Sequence, residues 1–161
     1  MKTMACLVVM MTACGAPAKS EWAGTWVGSK LTTTQKCADP STASEEIAPR
    51  DVRLAMLELG PNVENPELFD LRVAVDVDGA PSLQVDALDR LNRVVMPQGD
   101  PAFTSGVRWL VEGGNVGDRT ADAAQLNNLV LSFDDVGSGA RCRYGIWTIS
   151  GPVTRIPRDA P

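Results

Sequence analysis

Apolar and polar residues alternate with a period of two through most of the chain, the signature of strands that bury one face. The clearest stretch runs from Phe69 to Asp78, where Phe69, Leu71, Val73, Val75 and Val77 face one way and Asp70, Arg72, Ala74, Asp76 and Asp78 the other. Asp78-Gly79 supplies a pair favoured in tight hairpin turns, and Ser82 to Leu88 returns beside the first strand. Val52 to Leu59 predicts another strand, stopped by Gly60-Pro61-Asn62, and Val107 to Glu112 a short one closed by Gly113-Gly114-Asn115. Asn128 to Phe133 and Arg141 to Ile149 flank Asp134-Asp135-Val136-Gly137-Ser138-Gly139, which reads as a longer hairpin loop. Gly24 to Thr34 supplies a strand at the front.

Three segments depart from this period. Thr42 to Ile47 carries Thr-x-x-Glu, a capping-box pattern, and predicts a helical turn stopped by Pro49. Ala121 to Leu126, behind Thr120, predicts another. Asp86 to Val95 is open between a helix, through Leu88, Leu91 and Val95, and a strand, through Arg93-Val94-Val95-Met96. The expectation is an all-β fold: one antiparallel domain of roughly seven or eight strands, closed as a barrel or stacked as a sandwich, with one or two short helical turns.

Ahead of that domain, Met1-Lys2-Thr3 and a weakly polar to apolar run reach Cys14 through Met11-Thr12-Ala13. A membrane-spanning helix needs about 20 apolar residues, and Gly15, Ala16 and Pro17 end this run well short of that. One positive charge, a short apolar run and a small residue before the cysteine are the layout of a signal peptide. Met11-Thr12-Ala13-Cys14 resembles the lipobox of bacterial lipoproteins. That resemblance implies cleavage before Cys14 and acylation of Cys14, with several acyl chains as a stable membrane anchor. It divides the chain into a signal peptide over 1–13, a lipidated cysteine and tether over 14–21, and a folded domain over 22–161. Gly15, where an Asp would favour the inner membrane, points to the outer membrane of the cell envelope.

Composition narrows the chemistry. The chain of 161 residues has no histidine, so His-dependent triads and His-ligated metal sites are excluded. A net charge of −5, made more acidic when Lys2 leaves with the signal, speaks against nucleic acid as a partner.

Cleavage also discards Cys6, and lipid occupies Cys14, which leaves Cys37 and Cys142. Outside the cytoplasm such a pair is expected to oxidise. Cys37 lies just past the first strand and Cys142 near the start of the last; with those strands antiparallel the two face each other and staple the seam of the sheet. The same pairing sets Gly24-Thr25-Trp26 opposite Val153-Thr154-Arg155. Gly24-Thr25-Trp26 at the start of the first strand resembles the opening of a lipocalin-type barrel. That resemblance implies that Arg155, from the far end of the chain, covers Trp26.

Other motifs carry less. Asp76-Val77-Asp78-Gly79 is not a calcium loop, because Gly79 at its sixth position puts Ala74 first and Val85 twelfth, where an Asp and a bidentate Glu are required. Asp134-Asp135 and Glu45-Glu46 are adjacent pairs, which a strand points to opposite faces. Arg141, Arg143, Arg155 and Arg158 form a basic C-terminal set, read as a solvated strand face. No Gly-x-Ser-x-Gly, Ser-x-x-Lys or Cys-x-x-Cys occurs.

The expectation is therefore a non-enzymatic binding module without cofactor or metal, anchored to membrane lipid. Its partner is either a small apolar ligand within the barrel or an envelope protein, met through loops 38–50, 97–106 and 113–125 over a solid core. An apolar interior cavity of at least about 300 Å³ is the feature that separates these two.

Overall fold

The computed structural model describes residues 19–38, 43–90, 92–135 and 142–157. Nine antiparallel strands follow one another: β1 (Gly24–Cys37), β2 (Glu45–Pro61), β3 (Phe69–Val77), β4 (Leu83–Arg90), β5 (Arg93–Met96), β6 (Ala102–Thr104), β7 (Val107–Gly117), β8 (Ala123–Asp135) and β9 (Tyr144–Arg155). They form one sheet in which β1 pairs with both β2 and β9, and β5 pairs with β7, so the sheet closes into a ring. Both β5 and β6 lie on β7, β5 against Gly114 to Val116 and β6 against Val107 to Trp109. The two therefore share one place in the ring, interrupted at Pro97 and Pro101, where a ladder donor is missing. Nine strands thus make an eight-position barrel, the size at which side chains just fill the interior.

The alternation that predicts the strands also builds the core. Leu71, Val73, Val75 and Val77 of β3 point inward with Val52, Leu54 and Met56 of β2, Leu83, Val85 and Ala87 of β4, and Leu129, Leu131 and Phe133 of β8, all buried.

Four sequence expectations change. The helical turn over Thr42–Ile47 is absent from its described part, because Glu45 to Ile47 open β2 and pair with Thr33 to Gln35. The turn over Ala121–Leu126 is replaced by the start of β8, where Ala123 and Ala124 pair with Thr154 and Val153. Pairing along a closing barrel outweighs a capping pattern worth about 1 kcal/mol. Asp86–Val95 resolves into β4, a tight turn and β5, with Leu88 opposite Val95. Gly113-Gly114-Asn115 does not end its strand: β7 runs on to Gly117, with register shifts on either side of Gly113. Glycines here make a bulge that bends the strand around the barrel.

The turns are sorted to two ends, the N-terminal and the far pole. At the N-terminal pole lie residues 19–23, the β2–β3 loop and the β7–β8 turn, the last held to the end of β9 by the Arg155 N–H donating to the Asp122 carbonyl at 2.8 Å. At the far pole lie the Cys37–Cys142 disulfide, the β3–β4 turn at Asp78-Gly79 and the β6–β7 turn. That last turn is Ser105-Gly106, with φ of 50° and 81°, the left-handed pair that two-residue hairpins demand. The hairpin loop expected at 136–139 lies outside the described residues, although Asp134 and Asp135 belong to β8.

Candidate functional site

Each pole is sealed by tryptophan. At the N-terminal pole, Trp22 and Trp26 are buried with ring centroids 5.5 Å apart, and Trp26 Nε1 donates to the Trp22 carbonyl at 2.9 Å. The Arg155 guanidinium lies 5.6 Å over the Trp26 ring and donates to the Ala23 carbonyl. Trp26 and Arg155 are register partners, two residues displaced from the expected alignment. Gly24 has φ of +134°, and a Cβ there would come within 3.2 Å of Arg155 Nε. Glycine in Gly24-Thr25-Trp26 thus lets the arginine close over the indole. Gly24→Ala is expected to cost about 1–3 kcal/mol, read as a lowered urea midpoint, because that backbone region is essentially glycine's alone.

The chain enters this pole earlier than Trp22. Ser20 is buried, its hydroxyl donates to Asp89 Oδ2 at 2.6 Å, and its N–H donates to Glu58 Oε2 at 2.5 Å. Glu21 pairs with Arg119, whose guanidinium lies 5.6 Å over Trp22. Ser20 and Glu21, at the end of the expected tether, are thus bound to the barrel. Cys14 lies outside the described residues.

At the far pole Trp109, Phe133 and Trp147 pack with centroids 4.8–5.9 Å apart. Trp147 Nε1 donates to Gln35 Oε1 at 2.8 Å. Arg50 stacks 4.5 Å over Trp147 and donates to the Asp78 carbonyl at 3.1 Å, which holds the β3–β4 turn across the opening. The disulfide beside it joins Cys37 and Cys142 with 5.4 Å between Cα atoms. Between the poles the axis is occupied by Leu31, Leu54, Leu71, Leu83, Met96, Leu126, Leu131 and Ile149, each fully buried.

Hollows among the described residues include three on the outer wall. One of about 340 Å³ lies beside the β1 bend, between Val27, Ser29, Asp51, Arg53, Asp76 and Asp78. Asp51 there accepts hydrogen bonds from the Lys30 N–H at 2.7 Å and the Ser29 hydroxyl at 3.0 Å, which hold its carboxyl below the ordinary value. The others measure about 480 Å³, beside Arg90, Arg93 and Glu112, and about 370 Å³, beside Lys19, Leu57 and Glu58. Among the described residues no group of three or more Cys, Asp or Glu is arranged to hold a metal ion.

Of the expected loops, residues 45–50 belong to β2, 102–104 to β6, and 113–117 and 123–125 to strands, while 39–42 lie outside the described residues; the turn after Gly117 lies at the pole opposite Ser105-Gly106. The basic set is dispersed, with Arg143 just before β9 and Arg155 at its end, while Arg141 and Arg158 lie outside the described residues.

What the far pole does assemble is a row across its outer wall. Phe103 pairs with Arg108, Arg108 with Asp134, and Asp134 with Tyr144. Their neighbours Trp109, Phe133 and Gly145 point into the barrel, so these four point out. Phe103 is 72% exposed and Tyr144 45%. With strands about 4.8 Å apart, the two aromatics stand roughly 14 Å from each other on either side of an Arg and an Asp. No local pattern announces this row, since its members come from four strands.

No protein-family model and no curated protein matches the chain. A solved structure, that of EF1p2_mFAP2b bound to DFHBI, is similar with a TM-score of 0.38 and 9% identity, over 84% of this chain and 94% of that one. The barrel assignment rests on the strand pairing itself.

Proposed function

We propose that this chain is a lipid-anchored module of the bacterial cell envelope, without enzymatic activity, that binds a protein partner through the outer wall of its far pole. The row Phe103–Arg108–Asp134–Tyr144 carries the reading. Exposed aromatics beside arginine are the composition of interface hot spots, and this row is presented on a rigid sheet next to a disulfide. A carrier of a small apolar ligand needs interior space, and the interior positions here are held by large buried side chains with tryptophans at both ends. Acylation at Cys14 tethers the opposite pole, so the row faces away from the outer membrane, with roughly 40 Å of β8 between them.

The test is a photo-crosslinking residue at position 103 in intact cells, with a second at Arg72, on the wall of β3, as control. One discrete adduct at 103, none at 72, and loss of the adduct on adding Tyr144→Ser are the expected results. Stoichiometric apolar small molecule retained by the purified protein, with no adduct at 103, would overturn the assignment. Separately, Cys14→Ser is expected to move the protein from the membrane fraction to the soluble one.

A further inference from the structure

The N-terminal pole carries a second exposed surface of different character. Leu57 is 64% exposed, Leu59 50% and Val63 93%, three large apolar side chains within seven positions of β2 and the loop after it. Leu57 lies on the outer face of β2 opposite Arg72, between buried Met56 and Glu58, which accepts the Ser20 N–H, and Leu59 is the extra residue of the bulge between Glu58 and Gly60 and is exposed there. Val63 is not exposed through a loose loop. Asn62 Oδ1 accepts the N–H groups of Glu64 and Asn65 at 3.0 and 2.9 Å, and Asn62 N–H donates to the Leu68 carbonyl at 2.8 Å, so an ordered turn presents Val63 to its surroundings.

Where the chain enters the barrel decides what meets this surface. Lys19 lines the same hollow as Leu57, at the start of the described residues. Four residues separate it from Cys14, so the five steps between them reach at most about 18 Å. An acyl anchor on that leash holds the Leu57 side of the pole against the lipid surface and keeps the far pole off it. Charges around the patch are mixed, with Lys19 in the hollow beside Leu57 and Arg72 opposite it, against Glu58, Asp70 opposite Gly60, and Glu64 next to Val63, so anionic headgroups gain no preference.

We infer that Leu57, Leu59 and Val63 form a membrane-docking surface that inserts into the headgroup region of a zwitterionic bilayer. The inference rests on the acylation of Cys14 in the reading above. Docking fixes the orientation of the barrel on its anchor, with the far-pole row displayed upright.

The test uses the acylated full-length protein in phosphatidylcholine–phosphatidylethanolamine vesicles. Val63→Cys or Phe103→Cys is labelled with an environment-sensitive fluorophore, the native pair being spared by its disulfide. A blue-shifted emission quenched by lipid-borne nitroxide at position 63, with water-like emission at 103, is expected. Adding Leu57→Ser and Leu59→Ser, both exposed and outside the core, should abolish the shift at 63 without loss of fold by circular dichroism. If the protein floats with vesicles and position 63 still reports water, docking is overturned while the anchor stands. If it does not float, and Cys14→Ser changes nothing, the anchor is wrong and docking falls with it. A blue shift already present without vesicles that grows with protein concentration identifies a second copy of the chain as the occupant, and also overturns lipid docking.

Discussion

Trp26→Ala is expected to destabilise the protein by about 3–5 kcal/mol, the cost of removing a large aromatic from a closed core. For a chain of this size that is a fall in melting temperature of roughly 6–20 °C. Three losses combine at this position. The indole is fully buried against Trp22, its N–H satisfies the Trp22 carbonyl, and its face carries the Arg155 guanidinium. Truncation opens a void that collapses poorly, because Trp22 and Arg155 around it are held by their own hydrogen bonds, to the Ser20 hydroxyl and the Ala23 carbonyl. Trp26→Phe keeps most of the apolar area and gives up the N–H donor, so its loss should be smaller, near the 1–3 kcal/mol of an unpaired buried carbonyl. Urea melts followed by circular dichroism separate the two variants. A loss under about 1 kcal/mol for Trp26→Ala would remove the N-terminal pole as a structural plug.

Breaking the Cys37–Cys142 bond is expected to cost about 4–5 kcal/mol, by reduction or by the Cys37→Ala/Cys142→Ala pair. The two cysteines are 105 residues apart, so the bond restricts nearly the whole domain in the unfolded chain, and the entropic effect grows with that length. It also joins the far ends of β1 and β9, where Cys37 is opposite Gly145. With total stabilities of 5–15 kcal/mol typical of domains, the reduced protein should sit near the edge of folding. Denaturation with and without reductant measures the difference, and a thiol titration of the native protein should find neither cysteine. Equal midpoints in the two states would contradict the assignment of the bond as the seam of the barrel.

How much of this was legible beforehand differs from element to element. The alternating run from Phe69 to Asp78 matches β3 to within one residue, because its alternation is unbroken and Leu71, Val73, Val75 and Val77 on one face are all buried. Val107–Glu112 reads too short, because glycine marks a turn in a local pattern but a bulge in a strand that must curve. The capping pattern at Thr42–Ile47 fails for a related reason: Glu45 to Ile47 have partners in β1 that no local window contains. The Cys37–Cys142 pair was accessible from one assumption, that first and last strands are antiparallel neighbours, whereas the meeting of Trp26 with Arg155 was implied by the resemblance of Gly24-Thr25-Trp26 to a lipocalin-type opening, the alignment itself being two residues off. Ser20, Arg50 and the row from Phe103 to Tyr144 were not, since each matters only through residues brought from other strands.

The sequence by itself determined the all-β class, one antiparallel domain and the disulfide, since period-two alternation and cysteine placement are local or end-to-end properties of the chain. Only the tertiary structure decided the ring of eight positions filled by nine strands, the tryptophan seals at both poles, and the exposed surfaces. Those depend on register and closure: β5 and β6 share a place because both find β7, and four residues become one row because three pairings align them. Alternation says which side chains face inward, but non-local hydrogen bonds choose what each one meets.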